Sequence, residues 1–128
     1  MKAVLINAAL IGTGGFLGAI FRFSLSGFVQ RSAGVAAFPY GTLVVNLIGC
    51  LLIGLAVGLM DARQLVHPEV RSFVLVGLLG GFTTYSTFGL ETFALLRDAD
   101  YLRAFASVAL HLVAGLLLVW IGYALASR

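Results

Sequence analysis

Charge is scarce in this chain: eight Lys and Arg and five Asp and Glu make up 10% of its 128 residues, where a soluble domain carries about 25%. So few charges cannot cover a water-facing surface, which excludes an ordinary soluble domain and an intrinsically disordered chain. The single cysteine, Cys50, excludes a disulfide framework and a thiolate metal site. Only two prolines accompany the 16 glycines, and there is no G-X-Y period, so the glycines are not collagenous. The net charge of +3 is scattered, which leaves no basic cluster for nucleic acid. No paired carboxylates, catalytic triad, zinc constellation or phosphate loop occurs, so the reading is not that of an enzyme.

What the chain has in abundance is apolar residues, at 61%. A bilayer core is about 30 Å thick and needs about 20 apolar residues of helix. Four stretches meet that demand, at about 3–21, 39–60, 72–96 and 104–126, and together they predict one all-α, four-span membrane domain over 1–128. The first, second and fourth carry no charge and the third carries only Glu91. His67-Pro68-Glu69 supplies a proline and an acid where the third helix should begin, and Asp98 and Asp100 do the same for the fourth. The connector after Phe21 is partly apolar, so the first helix is open to extension. Met1-Lys2 and the apolar run after it superficially fit a signal peptide. Three further spans follow, however, and Gly12, Gly14, Gly15 and Gly18 look like a packing face, so the segment is read as a span.

With four spans, Lys2, Arg63, Arg71 and Arg128 fall on one side of the membrane and Arg22, Arg31, Arg97 and Arg103 on the other. The positive-inside rule then has no bias to act on. A tie of small counts fits coincidence. It also fits a dual-topology protein that pairs with an inverted copy of itself, and a lone four-helix monomer has little interior room for a solute path.

The third span reads Gly80-Gly81-Phe82-Thr83-Thr84-Tyr85-Ser86-Thr87-Phe88 at its middle. Paired glycines weaken a helix by about 1 kcal/mol each relative to Ala, and the hydroxyls beside them can re-satisfy freed backbone groups. The pattern predicts an interrupted helix. Within hydrocarbon such a break must be buried in protein or line a polar cavity, and carbonyls freed around Gly80–Thr83 could coordinate a small cation. Phe82, Tyr85 and Phe88 form a helical stripe that reads either as core packing or as ring edges presented to an anion. Asn46 reads equally as interhelical glue or as a hydrogen-bond donor in a polar route. Glu91 must be satisfied, by pairing with Arg97 or by snorkelling. His111 shares a face with Ser107 and Gly115 on the fourth span. Arg22, at the end of the first span, reads as an interfacial anchor or a pore-mouth cation. These residues suggest a polar route through a small helical oligomer, with positive residues at both mouths favouring an anion.

At Gly41-Thr42-Leu43-Val44-Val45-Asn46 and through the third-span motif, with Gly15, Gly18, Ala19, Arg22 and Glu91 in agreement, the chain resembles the Fluc (CrcB-type) fluoride channels. The resemblance implies an antiparallel, dual-topology homodimer in the bacterial inner membrane. It implies two passive fluoride pores, exporting fluoride from the cytoplasm, and a structural sodium ion at the central interface. By motif position Gly80 and Thr83 would give backbone carbonyls to the sodium, and Asn46 would donate to fluoride. Tyr85 and Phe88 would occupy the places of two pore phenylalanines. Ser86 and Thr87 would continue the polar track, with Ser107 and His111 facing it, and Arg22 and Glu91 would be pore-mouth or structural residues. Tyr85 departs from phenylalanine, and Gly115 stands where some members carry a serine. The competing expectation is a proton-coupled exporter of the small multidrug type, which needs an embedded acid in its first span; 3–21 has none.

Overall fold

The computed structural model describes residues 1–34, 37–63 and 66–128, and every regular element among them is helical. Four helical runs are long and apolar enough to cross a membrane: Lys2–Ala33, Tyr40–Arg63, Pro68–Arg97 and Tyr101–Ala126. We call the first two α1 and α2. The third consists of α3, over 68–82, and α4, Tyr85–Arg97; the fourth is α5. The predicted spans overlie these helices, only Pro39 falling outside one, and the first differs most. It runs twelve residues past Phe21, so at about 1.5 Å per residue α1 is about 48 Å long. It stops at Gly34, whose φ of 63° places the C-cap in the left-handed region that glycine adopts freely.

The turns carry their own satisfaction. The Gln30 side chain donates to the Phe38 carbonyl at 3.0 Å and accepts from the Gly41 amide at 3.0 Å, clamping the connector to the first turn of α2. Pro68 opens α3 behind the N-cap His67. Asp100 caps α5 by accepting from the Arg103 amide at 3.3 Å, and its carboxylate also receives the Arg103 guanidinium at 2.8 Å.

α2 is the central helix, with Gly41, Thr42, Leu43, Val45, Asn46, Gly49, Gly54 and Gly58 all buried. Glycines set the seams. On the α1–α3 seam a Cβ at Gly14 would lie 2.7 Å from the Phe73 carbonyl oxygen, and one at Gly81 2.6 Å from that of Gly15. On the α2–α5 seam a Cβ at Gly54 would meet the Val119 carbonyl, and one at Gly122 that of Leu51. Small residues let backbones approach where no hydrophobic drive separates helix from lipid. The outer surface is correspondingly apolar, with Phe16, Phe23, Phe28, Leu102, Phe105, Leu116 and Trp120 all exposed. Ser72–Leu79 and Leu110–Ala114 are wound as π-helix, which the sequence pattern did not announce.

Candidate ion site at the broken helix

The third span is interrupted at its centre. Thr83 (φ −89°, ψ 156°) and Thr84 (φ −149°, ψ 120°) are extended between α3 and α4. The break falls two residues after the glycine pair: Gly80 and Gly81 stay helical, Gly81 packing on α1 at Gly15 and Gly80 lying exposed, while two β-branched threonines take the extended conformation. A methyl group at Gly49 would collide with the Thr83 side chain, so α2 is bare where the break leans on it.

Asn46 is the second half of this construction. Its Nδ2 donates to the Thr84 carbonyl at 3.1 Å, and its Oδ1 accepts from the Thr84 amide at 2.9 Å. One side chain from α2 thereby replaces the ladder at the interruption. The amide has two Nδ2 hydrogens, and this pairing uses one. Thr84 caps α4: its hydroxyl accepts from the Thr87 amide at 3.3 Å and donates to the Thr87 hydroxyl at 3.1 Å. Thr83 donates its hydroxyl to the Leu79 carbonyl at 3.0 Å.

This redirection has a definite consequence for two carbonyls. In an unbroken helix the Thr84 amide would bond to Gly80 and the Thr87 amide to Thr83. Both amides are instead given to side-chain oxygens, so the Gly80 and Thr83 carbonyls lose their ladder donors. Those are the two carbonyls expected to face a cation, and their chemistry fits a hard ion such as sodium. The break also sets the negative end of α3 against the positive end of α4, so cation and anion are favoured at adjacent places.

The predicted residues divide between two clefts that meet at Thr84. The narrower, of about 340 Å³, is lined by Asn46, Gly80, Thr83, Tyr85, Phe88 and His111, among others. Phe88 packs between two rings, with Tyr85 at 5.7 Å and His111 at 4.2 Å between centroids. Tyr85 is 84% exposed on the surface of the chain. The wider cleft, of about 800 Å³, holds Arg22, Thr42, Thr87 and Glu91. Glu91 accepts from the Thr42 hydroxyl at 2.8 Å, and its second carboxylate oxygen is buried without a partner. The expected Glu91–Arg97 pairing does not form, because Arg97 turns to Asp98 at 3.3 Å. Arg22 does not end its helix, as the sequence reading had it. It lies well inside α1, with Nε buried and unpartnered beside the wide cleft.

Two expected track residues lie outside both clefts. Ser86 is exposed next to the break, 3.4 Å from the Thr84 hydroxyl. Ser107 is fully buried, its hydroxyl sharing a 3.3 Å hydrogen bond with Thr92 and its carbonyl accepting from His111 Nδ1 at 2.8 Å. Three contributors escaped the sequence reading: Thr84 as the hub of the break, Thr42 as the partner of Glu91, and Thr92 behind Ser107. Thr42 had a signal, since it lies one helical turn before Asn46 on the same face of α2.

Four apolar helices, one of them broken among polar side chains, define a multi-pass membrane protein. Comparison with known proteins agrees. The family model described as CrcB-like protein, Camphor Resistance (CrcB), matches residues 9–123. The fluoride-specific ion channel FluC of Methylobacillus flagellatus is 44% identical over 116 residues, covering 91% of each chain. That of Opitutus terrae is 48% identical over 115 residues, 88% of this chain and 86% of the relative. That of Shewanella loihica is 43% identical over 116 residues, covering 91% of this chain and 92% of the relative. The chain belongs to the CrcB family. These relatives are named as channels, and the protein is not an enzyme.

Proposed function

We propose that this protein is a passive fluoride channel of the bacterial inner membrane, working as an antiparallel, dual-topology homodimer and releasing fluoride from the cytoplasm. The observation that carries the reading is the threonine break with its Asn46 clasp, in a chain whose relatives bear the name of fluoride-specific channels. Fluoride is small and strongly hydrated, so a route must replace its water with donors yet bind loosely enough to release it. The uncommitted Asn46 N–H, the hydroxyls of Ser86 and Thr87, and the edges of Tyr85 and Phe88 supply such contacts without a fixed cation to trap the ion. Arg22 stands in the wide cleft, where positive charge draws an anion toward the break.

Homodimer formation is supported by what one protomer leaves open. Tyr85 lies exposed at the break, and the narrow cleft opens beside Gly80 and Thr83. With Arg22 drawn into α1, the basic residues outside the helix interiors still nearly balance between the two sides, which suits insertion in both orientations. Gly80 and Thr83 from each copy would hold a structural sodium ion, which would supply positive charge between otherwise unpaired carbonyls. Ser107 takes a supporting role, orienting His111 through its carbonyl.

Fluoride release from liposomes containing the purified protein tests this reading. The expected result is rapid efflux that needs no proton gradient. Export of organic cations driven by a proton gradient, without fluoride efflux, would establish the small-multidrug alternative instead.

A further inference from the structure

Phe88 is held from behind by a histidine whose remaining nitrogen has nothing to bond. His111 Nδ1 lies 2.8 Å from the Ser107 carbonyl, which can only accept, so Nδ1 carries the proton. The neutral ring therefore presents a lone pair at Nε2, and that atom is buried without a partner. The imidazole packs on Phe88 at 4.2 Å between centroids with a 40° tilt, and it lines the same narrow cleft as Asn46. A buried acceptor beside a route for anions is the wrong polarity for the cargo. Adding one proton reverses it: Nε2 becomes a donor, and the imidazolium is drawn to the ring face it already touches.

Resting on the fluoride reading above, we propose that His111 is a positioning residue for Phe88 whose protonation sets how tightly the narrow cleft holds an anion. At neutral pH the lone pair gives the wall behind Phe88 no hold on an anion, and fluoride passes. In acid the N–H and its charge deepen the site, so fluoride saturates the route at lower concentration and leaves more slowly. The groups facing His111 from neighbouring elements do not carry this response. Cys50 on α2 and Tyr85 on α4 line the cleft, and free thiols and phenols lose their protons only above about pH 8. Lining residues from α3 carry no charge, and no Asp, Glu, Lys or Arg lines this cleft among the described residues. Glu91 on α4 is tied to Thr42 beside the other cleft.

The test measures fluoride efflux from liposomes with the same pH on both sides, from about pH 8 to about pH 5.5, a range spanning the ordinary histidine value near 6.5. Protein-free vesicles give the hydrogen fluoride leak to subtract. A charge appearing within the cleft should lower the half-saturating fluoride concentration by roughly tenfold or more, with a lower maximal rate. His111→Phe keeps a ring behind Phe88 and should conduct with no such dependence; His111→Gln serves the same purpose if the larger ring does not fold. The chain holds only two histidines, and His67→Gln, outside the site, should retain the full pH response. A half-saturation that stays constant with pH in the unaltered protein, or the same shift in a folded His111 variant, overturns the proposal. Absence of protein-dependent fluoride flux at every pH would instead remove the channel reading on which it rests.

Discussion

Replacing Asn46 with leucine tests the clasp at the break. The substitution preserves volume approximately while removing both hydrogen bonds to Thr84, at 3.1 and 2.9 Å. Asn46 is 9% exposed, so the freed Thr84 groups gain little from solvent. Each unsatisfied buried backbone group costs about 1–3 kcal/mol, which gives about 2–6 kcal/mol for the pair. Interhelical side-chain bonds in membranes average only about 0.6 kcal/mol, because released groups find other partners. Here one such partner is Gly80: return of the Thr84 amide to its carbonyl closes the helix and removes the free carbonyls. Either outcome is visible: the detergent-solubilised protein loses thermal stability, or it keeps its stability and loses fluoride flux. Asn46→Asp separates the roles. It retains an acceptor for the Thr84 amide but adds a negative charge, which for an anion about 6 Å away at an effective dielectric near 20 amounts to about 3 kcal/mol, or roughly 100-fold in flux. An Asn46→Leu protein with unchanged melting and unchanged flux would refute the reasoning.

Other outcomes follow from the same geometry. Gly18→Ala should destabilise the fold by about 3 kcal/mol, since the added methyl meets the Leu78 carbonyl and lies 2.7 Å from the Phe82 amide nitrogen. Gly12→Ala, with no neighbour within 4 Å, should instead be neutral or stabilising by up to about 1 kcal/mol; thermal melting distinguishes the two. Ser107→Ala leaves the carbonyl that orients His111 and should cost about 1 kcal/mol of stability with flux intact; a tenfold flux loss would return the Ser107 hydroxyl to the ion route. Exchange of sodium for a bulky organic cation should loosen the dimer and stop fluoride efflux; flux and dimer content that ignore the exchange would count against Gly80 and Thr83 as its ligands.

The spans were legible because hydrocarbon tolerates few charges, and the break because glycines and clustered hydroxyls at mid-span are costly without a purpose. Yet the purpose of Gly80 and Gly81 was misread. The bare Cα of Gly81 serves approach to α1 at Gly15, Gly80 has only its own helix nearby, and the extended conformation belongs to Thr83 and Thr84. An extension of α1 past Phe21 was open in the sequence, but its end at Ala33 was unmarked because Arg22, Ser26 and Gln30 lower its apolarity while lining the wide cleft. Likewise the burial of Ser107 against Thr92 and the bond from Thr42 to Glu91 join residues far apart in the chain. Side-chain pairing of that kind leaves no periodic trace. The clasp of Asn46 on Thr84 is similar: an amide in an apolar span announces that it needs a partner, but its spacing does not say which.

The central claim is that the interruption frees the carbonyls of Gly80 and Thr83 to face an ion beside a fluoride route. An experimental density map of the protein in lipid, with sodium and fluoride present, tests it directly. The account predicts two inverted copies meeting at their broken third helices, with an ion bounded by those carbonyls. A continuous third helix whose Thr84 amide bonds to Gly80, or copies that meet elsewhere with no ion between them, would contradict it.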